Sequence, residues 1–78
     1  MTREEFLAEL DEVLELARGT LKGPERLEEL EQWNSMAMMG FIALADTNNG
    51  TRIPPRLILN CSLIEDLLKL AKADGSSN

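Results

Sequence analysis

Histidine is absent from this 78-residue chain, and Cys61 is its only cysteine. Without an imidazole, the chain cannot assemble a Ser-His or Cys-His nucleophile from its own residues. Zinc sites made of histidine and cysteine are excluded as well, and a lone cysteine forms no disulfide within the chain. Because this chemical inventory is so small, we expect a protein that performs no catalysis and holds no metal site.

Cys61 itself lies in an apolar stretch, close to Leu59, Leu63 and Ile64. In such surroundings a free cysteine usually behaves as a small buried hydrophobe. The alternative, a reactive thiol, needs a nearby positive charge and access to solvent. We favour the buried hydrophobe.

Aromatic residues are also few: the chain has Phe6, Trp33 and Phe41 and no tyrosine. Hydrophobic residues still make up 44% of the chain, with leucine and alanine well ahead of β-branched residues. That balance favours helices packed through aliphatic side chains over β-sheet. A chain of this length has room for one modest core. We therefore predict a single all-α domain over residues 1–73 and a disordered tail over residues 74–78.

Positive charge is scarce in the first half of the chain. Residues 1–35 carry four basic and ten acidic residues, whereas residues 36–78 carry four of each, so the net charge of −6 arises entirely before Met36. Such a balance disfavours nucleic acid and anionic membranes as partners. No run of apolar residues approaches the roughly 20 needed to span a bilayer, and the polar N-terminus lacks the apolar core of a signal peptide. We expect no membrane span and a cytoplasmic location.

A first helix is predicted by its cap and its periodicity. Thr2 and Glu5 match a capping box, in which the hydroxyl and the carboxylate each accept a hydrogen bond from a free backbone N–H. Gly19 supplies a stop signal. The pattern predicts a helix over residues 3–17 whose apolar face comprises Phe6, Leu7, Leu10, Val13, Leu14 and Ala17. The predicted solvated face comprises Glu4, Glu9, Asp11, Glu12 and Glu15.

The segment 19–34 has weaker signals. Gly23-Pro24 indicates a turn, and the helix formers that follow are too few to be stable without a strong cap. We predict a long connection that contains at most a turn or two, pinned by Leu21, Leu27 and Leu30.

The C-terminal part of the chain predicts two further helices. Pro55 can open a short helix over residues 56–59, because proline is well tolerated at the start of a helix. Ser62 and Glu65 match a second capping box, which predicts a last helix over residues 63–73.

The segment 36–45 is uncharged and apolar on every helical face. It is too short to span a bilayer, and so small a domain cannot enclose a helix completely. Exposed apolar surface usually marks contact with a partner, and methionine adapts to differently shaped surfaces. We therefore expect a partner-binding surface that includes Trp33, Met36, Met38 and Met39. The alternative is a central helix that is simply well buried.

Ser35 lies where the long connection becomes this apolar helix. One interpretation is that Ser35 caps the helix, since serine is among the best residues for that position. The other is chemical: the N-terminus of a helix offers free N–H groups and partial positive charge, which suit an attached phosphate. No histidine exists to activate the serine and no lysine lies near it in sequence, so the oxygen of Ser35 would be the acceptor for a separate modifying enzyme.

The whole chain resembles the acyl carrier protein family of fatty-acid, polyketide and nonribosomal peptide synthesis. That family has an Asp-Ser-Leu motif at the start of its second helix, often after a tryptophan or glycine. Here the motif is Trp33-Asn34-Ser35-Met36. The resemblance covers residues 2–72 and includes the turn toward Ile53 and the closing pattern from Cys61 to Leu68.

The resemblance implies an acyl-carrier-like bundle of three main helices and one short helix. It also implies that Ser35, next to Asn34, carries a covalent 4′-phosphopantetheine arm, attached from coenzyme A by a phosphopantetheinyl transferase that uses magnesium. The thiol of the arm would hold an acyl or aminoacyl group as a thioester and present it to loading and processing enzymes. The carrier would be a cytoplasmic monomer that performs no chemistry of its own.

Three departures from the family pattern stand out. Asn34 replaces the usual aspartate, although asparagine still caps a helix well. Asn49 and Thr51 stand where larger apolar residues are usual, which predicts weaker packing after the second helix. The second helix has only Asp46 where fatty-acid carriers are acidic, so we expect apolar docking, with steering by Glu25, Glu28, Glu29 and Glu31.

That third departure favours a specialised lipid, polyketide or nonribosomal peptide pathway over bulk fatty-acid synthesis. The competing hypothesis, supported by Asn34, is an unmodified adaptor with the carrier fold that binds a protein partner through its methionine-rich second helix.

Overall fold

The computed structural model describes residues 2–73; the tail predicted over residues 74–78 lies outside this range. Within it the chain forms a small bundle of α-helices without β-strands, as the leucine- and alanine-rich composition predicts. The helices are α1 (Arg3–Val13), α2 (Ser35–Asn49), α3 (Pro55–Ile58) and α4 (Ile64–Leu70).

The first helix starts at the predicted capping box but ends earlier than its periodicity suggests. Thr2 Oγ1 accepts from the backbone N–H of Glu5 at 3.1 Å, and the Glu5 carboxylate accepts from the N–H of Thr2 at 2.9 Å. The predicted end at residue 17 is wrong, because Glu15 turns left-handed with a φ of 60°. Leu16 N then donates to the carbonyl oxygen of Asp11 at 2.8 Å, which closes the helix at its end.

Asp11 is buried, so its assignment to the solvated face was wrong. Its carboxylate accepts from the backbone N–H of Gly19 at 2.8 Å and from that of Leu21 at 3.0 Å. Two donors from the returning chain therefore replace the water that this carboxylate would otherwise bind. The interaction fixes the start of the long connection against α1.

The connection between α1 and α2 is long and largely irregular, as predicted. It contains one 3₁₀ turn, Leu27–Glu29. Leu21 and Leu27 are buried, and Leu30 packs against the core from the edge, which confirms the role of these three leucines.

Backbone hydrogen bonds tie this connection to the start of α4. Arg26 and Leu63 form an isolated antiparallel bridge. Leu27 N donates to the carbonyl of Ser62 at 2.8 Å, and Ile64 N donates to the carbonyl of Glu25 at 2.9 Å. The bridge holds Leu63 in extended backbone immediately before the helix.

This extended backbone moves the cap of α4 by one residue. The predicted box of Ser62 and Glu65 is wrong: the carboxylate of Asp66 accepts from the N–H of Ser62 at 2.9 Å and from that of Leu63 at 3.0 Å. The Glu65 carboxylate instead accepts from Arg3 at 2.7 Å and joins the starts of α1 and α4. Helix α4 ends at Leu70, short of the predicted residue 73, because Lys72 adopts a φ of 58°.

Helices α2 and α3 follow the sequence signals closely. Gly50 ends α2 in a left-handed conformation with a φ of 62°. Pro55 begins α3, and Ile58 is the residue of this helix that enters the core. Asn49 Nδ2 donates to the carbonyl of Ala71 at 2.8 Å, so a hydrogen bond joins the ends of α2 and α4 where weaker packing was predicted.

The core lies between α1, α2 and α4. Phe6 and Phe41 are both completely buried and meet edge to face with their ring centroids 6.0 Å apart. The other large side chains at the centre are Leu10, Leu14, Leu21, Ile58, Ile64, Leu67 and Leu68.

No helix within residues 2–73 is long and apolar enough to cross a membrane.

Candidate functional site

Ser35 is the first residue of α2 and is exposed, and Asn34 is the residue that caps the helix. The side-chain oxygen of Asn34 accepts from the N–H of Ala37 at 2.9 Å. Its carbonyl oxygen also accepts from the N–H of Met38 at 2.9 Å. Asn34 therefore performs the capping, and the hydroxyl of Ser35 has no hydrogen-bond partner among residues 2–73.

The surroundings of Ser35 favour an anion. The backbone N–H groups of Ser35 and Met36 have no acceptor within residues 2–73. No acidic residue lies in the first turn of α2, so no carboxylate there neutralises the partial positive charge of the helix N-terminus or repels an anion. The amide of Asn34 supplies a cap without adding the negative charge that an aspartate would bring.

The three methionines of α2 do not share one environment. The side chains of Met36 and Met39 are 83% and 69% exposed, whereas Met38 is half-buried and packs against the core. Trp33 is also half-buried and contacts Phe41 edge to face, with ring centroids 6.4 Å apart. The exposed apolar surface beside Ser35 therefore consists of Met36 and Met39, and the alternative of a fully buried central helix does not hold for them.

A groove runs beside this surface between the end of α1 and the first turns of α2. Its volume is about 410 Å³, and polar side chains at the rim include Glu15, Gln32 and Asn34. The helices approach closely here because Gly40 has no side chain: a Cβ at this position would lie 2.8 Å from Cγ1 of Val13. The apolar lining comprises Val13, Leu14, Met36, Ala37 and Gly40.

Two of the four carboxylates predicted to steer a partner have structural roles. Glu25 accepts from the backbone N–H groups of Lys22 and Gly23, both at 2.8 Å. Burial raises the pKa of Glu25, but these backbone donors outweigh burial and the pKa is lowered. Glu28 pairs with Arg26. Glu29 and Glu31 are exposed and have no ion-pair partner within residues 2–73.

Cys61 is half-buried, and its Sγ lies 3.6 Å from the carbonyl oxygen of Leu57. Burial, with a smaller effect from the negative charge of Asp66, raises the pKa of this thiol. A raised pKa leaves little thiolate at neutral pH, which supports the interpretation of Cys61 as a small hydrophobe.

Sequence reasoning missed a second exposed apolar region, around α3. Leu59 and Leu57 are 74% and 38% exposed. In sequence they are close to Arg52 and Arg56, within a stretch from residue 47 to residue 64 that contains no acidic residue. The lack of acidic residues in this stretch could be seen in the sequence. The exposure of the two leucines could not, because it depends on Ile58 being the residue of α3 that faces the core.

The groove was missed as well. A glycine in the middle of an apolar helix indicates a close approach by another element, and Gly40 was available as that signal.

The chain matches no model of a known protein family, no curated protein and no solved structure.

Proposed function

We propose that this protein is an acyl or aminoacyl carrier in which Ser35 bears a 4′-phosphopantetheine arm. The observation that carries the proposal is the free, exposed hydroxyl of Ser35 at the first position of α2, with the capping role taken by Asn34. A serine engaged in capping would have to give up its hydrogen bond before modification, whereas this one has nothing to give up.

The local electrostatics fit a phosphodiester at this oxygen. The N–H groups of Ser35 and Met36 are available to phosphate oxygens, and the first turn carries no carboxylate to repel them. When bound, the arm supplies a thiol that holds the cargo as a thioester. The residues of this chain contribute the attachment point and the surface around it.

The attachment step needs a second protein, because the chain has no histidine and no lysine lies near Ser35 in sequence to activate its hydroxyl. In this step the oxygen of Ser35 bonds to the phosphorus of coenzyme A next to the pantetheine and displaces adenosine 3′,5′-bisphosphate. The hydroxyl proton passes to a base on the transferase, and magnesium bound by the transferase offsets the phosphate charge. The chain itself therefore acts as a substrate and not as an enzyme.

The arrangement of elements supports a carrier-like bundle. A long first connection leads to a serine at the start of the second helix, and a short α3 lies between two longer helices. The exposed Met36 and Met39 beside Ser35 provide apolar contact for partner enzymes, and the lack of acidic residues on α2 before Asp46 favours a specialised pathway over bulk fatty-acid synthesis.

Attachment is tested by incubating the protein with a promiscuous phosphopantetheinyl transferase, coenzyme A and magnesium, followed by intact-mass measurement. We expect one phosphopantetheine per chain in the wild type and none in Ser35→Ala. Ser62→Ala is the matched control, because Ser62 is also an exposed serine just before a helix, and it should be modified normally. No mass gain in the wild type, or a gain that survives in Ser35→Ala, would overturn the assignment.

Partner association should depend only moderately on salt. Contact through Met36 and Met39 is apolar, and Glu29 and Glu31 are the carboxylates left to steer a basic partner. The Michaelis constant of the transferase for the carrier should rise by less than about tenfold between 50 and 200 mM salt, because the contact is mainly apolar and salt screens the few carboxylates that steer the partner. A much steeper rise would indicate docking by charge.

A second candidate is the unmodified adaptor, supported by the asparagine at position 34 where carriers usually have aspartate. It predicts that no transferase modifies Ser35 and that Met36→Gln with Met39→Gln abolishes capture of a partner that Ser35→Ala retains. The mass experiment and this capture experiment together separate the two functions.

A further inference from the structure

We propose that Met36 and Met39 form a methionine-oxidation site that converts the apolar surface beside Ser35 into a polar one while the fold stays intact. The effect on carrier loading rests on the proposed function, whereas the oxidation itself does not. Two observations support the site: Met36 and Met39 are exposed next to Ser35, and the other oxidisable side chains of residues 2–73 are partly buried.

The position of the two residues links them to Ser35. Met36 directly follows Ser35. Met39 is four residues after Ser35, so it lies one helical turn further along α2 on the same face as Ser35. Both side chains are largely exposed, at 83% and 69%. Both side chains therefore lie on the surface next to the oxygen that a modifying enzyme must reach.

Met38 provides an internal contrast in the same helix. Its side chain is half-buried and packs against the core, so its sulfur is less accessible to a dissolved oxidant. Oxidation of Met38 would also place a polar sulfoxide against apolar neighbours, which costs stability. A sulfoxide on Met36 or Met39 stays in water.

Other oxidisable side chains within residues 2–73 are less accessible. Cys61 is the only thiol of the chain, is half-buried and has a raised pKa, so its reactive thiolate is scarce. Trp33 is half-buried against Phe41. A mild oxidant should therefore act first on the exposed methionine sulfurs.

The reaction needs only a peroxide. The methionine sulfur attacks one peroxide oxygen, the O–O bond breaks, and the products are one sulfoxide and one water molecule, with sulfur oxidised and peroxide reduced. Methionine sulfoxide reductases reverse the change with a thiol reductant. The polar sulfoxide weakens the apolar contact that methionine offers a partner.

The first test measures site and fold. The purified protein is treated with dilute hydrogen peroxide, and fragment-ion mapping of the tryptic peptide 27–52 quantifies each sulfoxide. We expect Met36 and Met39 to be oxidised several-fold faster than Met38, with an unchanged helical circular dichroism spectrum and melting temperature. Oxidation of Met38 or Trp33 at the same rate, or loss of helicity when Met36 and Met39 alone are oxidised, would overturn the proposal.

The second test measures the consequence for Ser35. Oxidation of the wild type should slow phosphopantetheine attachment by roughly tenfold, through lost apolar contact, to the rate of a Met36→Gln, Met39→Gln variant. Sulfoxide reductases should restore the rate, and Met36→Leu with Met39→Leu should be insensitive to peroxide. An equal loss in the leucine variant would place the sensitive residue elsewhere. No attachment to the unoxidised wild type would refute the carrier function and leave the oxidation map to decide this proposal.

Discussion

At the scale of single residues, Asp11 and Asn34 show how one polar side chain fixes a piece of irregular backbone. Asp11 lies in α1 and accepts hydrogen bonds from Gly19 and Leu21 after the chain has reversed direction. Asn34 accepts from Ala37 and thereby starts α2. In both cases the side chain accepts hydrogen bonds from backbone N–H groups that have no carbonyl acceptor within a helix.

Asp11→Asn should destabilise the fold. The amide has one acceptor oxygen for two N–H donors, and its own NH₂ group would face the other, so a buried donor loses its partner. We expect the free energy of unfolding in urea to fall by about 1–3 kcal/mol. Glu12→Gln is the control, because Glu12 is an exposed neighbour in a surface ion pair with Arg18. Equal effects of the two substitutions would contradict the role given to Asp11.

Asn34→Ala removes the cap of α2 and should lower the free energy of unfolding by about 1 kcal/mol. Asn34→Asp keeps an acceptor and adds a negative charge where the helix N-terminus is positive, so it should match or exceed the wild type by about 0.3–1 kcal/mol at neutral pH. Thermal unfolding of the three proteins checks the order. An alanine variant as stable as the wild type would show that the cap contributes nothing.

At the scale of elements, the packing of α1 on α2 depends on Gly40. A Cβ at this position would lie 2.8 Å from Val13 Cγ1, and the β-branched valine has few rotamers by which to move away. The same close approach forms one wall of the groove beside Ser35. The glycine therefore sets the distance between two helices, even though alanine is the better helix former.

Gly40→Ala should lower the free energy of unfolding by about 1–2 kcal/mol through overpacking. In a Val13→Ala background the clash disappears, and the same substitution should be neutral or stabilising by up to about 1 kcal/mol because alanine favours the helix. A double-mutant cycle measured by urea unfolding gives the coupling. Independent, additive effects would mean that the two helices adjust without cost.

At the scale of the whole molecule, carboxylates hold several chain segments by accepting from backbone N–H groups. Hydrogen bonds from Thr2 lower the pKa of Glu5, and those from Ser62 and Leu63 lower the pKa of Asp66. For Glu25, burial raises the pKa, and donation from Gly23 and Lys22 more than compensates. The starts of α1 and α4 and the connection between α1 and α2 therefore share one dependence on pH.

Stability should fall in acid and be flat at neutral pH. A carboxylate whose pKa is lower in the folded state stabilises fully above its unfolded pKa, near 4, and loses this contribution as the pH falls through the folded value. The melting temperature should therefore be constant from about pH 7 to pH 5 and decline below about pH 4. Asp66→Asn should show a smaller decline. A melting temperature that rises on acidification would contradict this scheme.

Local signals in the sequence were enough for much of the fold. The capping box of Thr2 and Glu5, the core face with Phe6 and Leu10, and the start of α3 at Pro55 all depend on residues within a turn of one another. Such short-range rules apply wherever the chain later packs. The start of α2 beside Ser35 was also visible in the sequence, although Ser35 itself was one candidate for the cap that Asn34 provides in the structure.

Two of the errors arose where distant segments meet. Helical periodicity placed Asp11 in solvent, but the returning Gly19 and Leu21 covered it. The Ser62–Glu65 pattern predicted a cap, but pairing with Arg26 extended the backbone at Leu63 and moved the cap to Asp66.

The sequence by itself thus determined which segments become helices and that Ser35 begins one of them, because caps and periodicity act within a few residues. The tertiary structure decided which residues cap α4 and which methionines stay exposed. Both outcomes depend on contacts between segments that are far apart in the chain, as Met38 on the core and Met36 and Met39 in solvent show.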